Sequence, residues 1–164
     1  MKKTLTLLLA ITLLISIFAF PANASSEPSI AVPGTVVDVE YLDNGDYIIT
    51  TIEDNSIILP GDSTNAATTV TKTKTKNYVN SEGDIMWYIK VQGTFTYDGS
   101  TSKCTNAAHK AAAKGSTWSI SSASSSKSGN TATATATAVH HTGTGNYSYT
   151  RSVTLTCSKT GVFS

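Results

Sequence analysis

The sequence predicts an all-β protein: an antiparallel β-sandwich, immunoglobulin-like in general architecture, preceded by an acidic β-hairpin. Three observations lead there. Residue types alternate with period two in "TTVTKTKTK" at 68–76, "IMWYIKVQGTFTY" at 85–97 and "TATATATAV" at 131–139, the period of a strand with two different faces. Turn residues separate these runs, in "DNGD" at 43–46, "NSEGD" at 80–84 and "KSGN" at 127–130. Cys157 falls on the inward face of the alternating run "YSYTRSVTLTCS", where a bond to Cys104 would tie one sheet to the other.

The chain opens with Lys2 and Lys3, an apolar run from Leu5 to Phe20, Pro21 and then "ANA" at 22–24. A basic start, an apolar stretch and a small-x-small site predict a secretory signal peptide over 1–24. The apolar run is shorter than the roughly 20 residues of a membrane span. Cleavage after Ala24 is therefore expected to release the protein outside the cell, with no stable membrane span.

Residues 25–62 form an acidic segment. It carries Glu27, Asp38, Glu40, Asp43, Asp46, Glu53, Asp54 and Asp62, and no lysine or arginine. Its start, with Pro28, Pro33 and Gly34, reads as flexible. Two β-rich runs then flank "DNGD", and Asn-Gly between such runs is a strong hairpin signal. "NSIILPGDSTNAA" at 55–67 closes the segment with turn residues.

The sandwich domain is expected over 63–164, where ten basic residues oppose Glu82, Asp84 and Asp98, a net of +7. In "TTVTKTKTK" neither face is apolar, which suggests an edge strand whose lysines block edge-to-edge pairing. Trp87, Ile89, Val91, Phe95 and Tyr97 share one face of the next run, the clearest core strand in the chain. Gly93 midway along it suggests a bulge or bend. "NAAHKAAAKG" at 106–115 carries a capping Asn106, helix-favouring alanines and a terminal Gly115, and predicts a short helix or a loop with a helical turn. The four Thr-Ala repeats predict a core strand whose alanines leave the inner surface flat for bulky neighbours. In "YSYTRSVTLTCS" Tyr149, Val153, Leu155 and Cys157 share a face, with Arg151 the exception.

In an exported chain two cysteines most simply form one disulfide. Joining Cys104 to Cys157 would close 53 residues, worth about 4 kcal/mol at most in the chain-entropy account.

Together these segments resemble a family of small exported proteins of Gram-positive bacteria to which no function is attached. The resemblance runs through "YLDNGDYIITTIED", "TKTKTKNYVNSEGDIMWYIKVQGTFTYDGSTSKCT", "SKSGNTATATATA" and "TRSVTLTCSKTGVFS". It implies export, a β-rich fold and paired cysteines, and it transfers no catalytic or ligand residue.

Chemistry-bearing patterns are few. His140 and His141 are adjacent, so on a strand they face opposite ways, and no metal site is expected with His109. No nucleophile elbow or phosphate-binding glycine loop is present. No catalytic residue, cofactor or metal is assigned, and enzymatic activity is not expected. Lys72, Lys74 and Lys76 line one strand face and suggest an anion-binding stripe, with Lys90 and Lys103 expected nearby. Six tyrosines, Tyr41, Tyr47, Tyr78, Tyr88, Tyr147 and Tyr149, suggest sugar stacking or protein contact. The expected function is a secreted, non-enzymatic binding module for an anionic cell-wall polymer, a glycan or a surface protein. The alternative is an effector or antimicrobial protein whose acidic residues 25–62 are a removable pro-segment.

Overall fold

A computed structural model describes residues 32–55 and 67–164. The expected signal peptide over 1–24, most of the flexible start and residues 56–66 of the turn-rich segment lie outside the described residues. Eight strands follow one another: β1 (Thr35–Tyr41), β2 (Tyr47–Asp54), β3 (Thr68–Val79), β4 (Ile85–Tyr97), β5 (Ser102–Ala113), β6 (Trp118–Ser128), β7 (Thr131–Thr142) and β8 (Gly145–Thr156).

β1 to β5 form a large antiparallel sheet and β6 to β8 a small one, each in sequence order. The chain thus meanders through one sheet and then the other. An immunoglobulin sandwich instead returns strands between its sheets by Greek-key connections, so the sandwich is observed but that wiring is not. The acidic hairpin supplies two strands of the large sheet, with β2 paired to β3 from Tyr47↔Val79 to Asp54↔Lys72.

The core lies between the sheets. Trp87, Ile89, Val91 and Phe95 of β4 are at most 1 % exposed, and so are Ala132, Ala134, Ala136 and Ala138 of β7 above them. The Thr-Ala repeats therefore do what their pattern predicts. Their methyl groups form a low surface on which large side chains pack, and burying each such side chain is worth about 1.5–3 kcal/mol. The threonines form the outer rungs, where Thr131, Thr133, Thr135 and Thr137 bond to Thr156, Thr154, Ser152 and Thr150 across the strand pair.

Gly93 works by close approach. An added Cβ would run into the Phe95 ring and lie 3.1 Å from the Ala132 Cβ. The bulge sits beside it on the partner strand, where Thr94 pairs with Asn106 and Phe95 with Cys104.

Three expectations are corrected. β3 is an interior strand, flanked by β2 and β4. Its sequence resembles an edge because much of its lysine-bearing face lies beyond the border of the small sheet. Residues 106–113 are strand, as part of β5. Ala107, Ala111 and Ala113 share a face there, opposite Gly93, Ile89 and Trp87, and pairing along β4 outweighs the helix propensity of alanine. Cys104 and Cys157 are unbonded. Both are buried in the same core, but each thiol turns to a local carbonyl, Cys104 to Asn106 at 3.1 Å and Cys157 to Ser158 at 3.3 Å. Burial raises the Cys104 pKa, and the neighbouring Cys157 raises it further.

Candidate functional site

The two sheets differ in width, and the difference creates a site. β7 lies over β4 and β5, and β8 lies over β3 and β4. Three strands thus cover one side of a five-stranded sheet, leaving β1, the Ile52–Asp54 end of β2 and the half-buried lysines of β3 beside β8 as a floor without a strand above it.

Register fixes what the floor presents. Lys72, Lys74 and Lys76 stand opposite Gly93, Val91 and Ile89 of β4, so they lie on the core-facing side of the large sheet. On β2 the same side carries Ile48, Thr50, Ile52 and Asp54. Two adjoining recesses of about 380 and 410 Å³ share Val37, Ile52 and Phe163. Lys72 borders the first, and Lys74, Lys76 and Thr50 border the second.

The three lysines do not share one role. Lys72 Nζ is 2.6 Å from Asp54 Oδ2 and 5.3 Å from the centre of the Phe163 ring, so its charge is neutralised. Lys74 and Lys76 have no carboxylate within ion-pair distance among the described residues. Burial lowers the Lys74 pKa, the charge of Lys76 lowers it further, and Asp38 opposes the shift. Two neighbouring cations thus face a recess that Asp38 also lines, neither of them in an ion pair among the described residues. Thr50 stands between them and β1, 3 % exposed, and its hydroxyl has no hydrogen-bond partner. A buried hydroxyl without a partner costs about 1–3 kcal/mol.

The other expected residues lie elsewhere. Lys90 is on the opposite side of the large sheet, paired with Glu53 at 3.4 Å in a recess of about 350 Å³. Lys103 pairs with Thr96 on that same outer side. The tyrosines form no single surface. Tyr78 and Tyr149 join Trp118 in an aromatic cluster, Tyr47 is buried against Ile49 and Val79, and Tyr41 is 73 % exposed at the far edge.

The adjacent histidines do face opposite ways. His140 stacks on Trp118 with ring centres 4.4 Å apart. His141 points outward, with Nε2 2.8 Å from Ser119 Oγ and Nδ1 2.9 Å from Asn146 Oδ1. This serine–histidine–amide relay escaped the sequence reading, because its three residues meet only through the pairing of β6, β7 and β8. It has the connectivity of an activated hydroxyl. It also continues the outward row of hydroxyl pairs on an exposed sheet surface, and those neighbours account for its hydrogen bonds without catalysis. Among the described residues no group of histidine, cysteine and carboxylate side chains could hold a metal.

Comparison with known proteins adds no precedent: no protein family, curated protein or solved structure matches the chain.

Proposed function

We propose that the protein is an exported, non-enzymatic binding module that holds an anionic chain in the open slot beside β8. The observation that carries this reading is the pair Lys74 and Lys76, two neighbouring cations facing a recess without ion-pair partners among the described residues. The apolar Val37, Ile52 and Phe163 supply nonpolar contacts at the same place. Export follows from the signal-like N-terminus and from the resemblance to exported Gram-positive proteins.

The pro-segment alternative draws no support from the packing. β2 pairs along β3, and Ile48 is 2 % exposed in the main core, so removing residues 25–62 would strip a paired strand from the sheet.

Titration with polyglutamate and with polyglycerol phosphate tests the reading. Binding should weaken as salt rises and fall about tenfold or more when Lys74 and Lys76 are both changed to Gln. Binding that ignores both changes, or none to either polymer, refutes it.

A further inference from the structure

The small sheet carries the beginning of a fourth strand. After β8 the chain turns through Ser158–Gly161, with Gly161 at φ 80°, and runs back along β8. Phe163 pairs with Cys157, and Ser164 and Thr156 exchange two backbone hydrogen bonds at 3.0 and 3.1 Å. The turn repeats that of the β3–β4 hairpin: Gly161 N donates to Ser158 O as Gly83 N does to Asn80 O, each at 3.0 Å.

The stagger of the sheets shows where this strand leads. β7 sits over the gap between β4 and β5, and β8 one step on, over the gap between β3 and β4. The position beyond β8 therefore lies over β2 and β3. Its floor is the slot described above, with Thr50, Ile52, Lys74 and Lys76 beneath it. Among the described residues, no strand pairs with the free edge of β8 ahead of Thr156.

A bare strand edge accepts another strand through main-chain hydrogen bonds, and alternate side chains of the newcomer reach the floor. Here those side chains would meet Lys74 and Lys76, which have no ion-pair partner among the described residues, with Asp38 and Glu40 of β1 on the same side of the sheet farther from β8. Arg151 lies on the inward row of β8, between Tyr149 and Val153, and adds a third cation beside the position. An inward charge on an edge strand blocks indiscriminate pairing, and a newcomer carrying carboxylates neutralises it.

We infer that the slot admits an extended acidic segment of a partner polypeptide as the fourth strand of the small sheet. This rests on the reading of the slot as an anion site and adds the class of ligand. A polysaccharide or polyphosphate chain can neutralise the lysines but leaves the main-chain groups of β8 unpaired.

The test uses the full chain and three probes: a blocked peptide of four Thr-Glu repeats, the same peptide with its two central threonines changed to proline, and polyglycerol phosphate. Proline keeps the charge and removes the N–H that a ladder needs. The repeat peptide should bind, the proline peptide should bind about tenfold more weakly or worse, and Lys74→Gln or Lys76→Gln should cost a similar factor with unchanged thermal stability. Equal binding of the proline peptide, or tight polyglycerol phosphate binding with none of the repeat peptide, overturns strand addition and leaves the anion site standing. No binding by any of the three overturns both.

Discussion

Changing Gly93 to alanine should destabilise the protein, although the usual effect of such a change at an ordinary strand position is the reverse. Restricting the unfolded chain would stabilise by about 0.4–1 kcal/mol if the new methyl fitted. It does not fit. The added Cβ runs into the Phe95 ring and lies 3.1 Å from the Ala132 Cβ on the facing sheet. Phe95 is fully buried and is held edge-on by Phe163 at 5.3 Å, so its ring has no free space to swing into. Overpacking of this kind costs about 1–3 kcal/mol. The net expectation is a loss of about 1–2 kcal/mol. Urea denaturation measures it as a lower midpoint with unchanged slope. Adding Phe95→Leu to Gly93→Ala should recover part of the loss, because the two side chains compete for one volume. A Gly93→Ala variant as stable as the parent or more so would refute close approach as the role of this glycine.

Other expectations follow from single contacts. Asp46 accepts hydrogen bonds from Tyr78, Asn44 and Ser81 and so ties the β1–β2 turn to the β3–β4 turn; Asp46→Ala should cost about 1–2 kcal/mol in urea denaturation. Burial, then the hydrogen bond to Asp46, push the Tyr78 pKa up to about 12. Since the folded value lies above the unfolded one of about 10, this contribution is complete below pH 10 and is lost as pH rises through 12, and Tyr78→Phe should flatten that fall in stability. In the reduced protein Cys104 and Cys157, at most 2 % exposed, should react with iodoacetamide only on unfolding; fast labelling of the native protein would contradict their burial. A fluorophosphonate probe should label Ser119 no faster than the other outward serines of the small sheet, and selective labelling would make the His141 relay a nucleophile instead.

The parts legible in the sequence are those where one strand's own alternation decides its faces. β4 shows its core face through Trp87, Ile89, Val91 and Phe95, and β7 shows its through the alanines, because each is covered along its length. β3 misleads because its neighbours are not encoded in its own residues. Its lysines sit at the border of the small sheet, where a strand is interior by pairing yet half open by packing. β5 misleads for a related reason, since alanine favours a helix locally and only the register with β4 makes Ala107, Ala111 and Ala113 useful. The "DNGD" turn joins β1 to β2 where its residues predict a hairpin, but differs in detail. Gly45 N donates to Leu42 O, with Asp43 and Asn44 between them and Gly45 itself at φ 84°, the pattern of a longer hairpin loop. The slot could not be read at all, because it arises from five strands facing three.

The most direct test of the account is amide hydrogen exchange along β8, with and without the Thr-Glu repeat peptide. Alternate amides between Tyr149 and Val153 should slow about tenfold or more at saturation, while the β6–β7 pairing stays unchanged. Unaltered exchange in β8 with the peptide bound would show that the ligand does not join the sheet, and would contradict the claim that the slot is a strand acceptor.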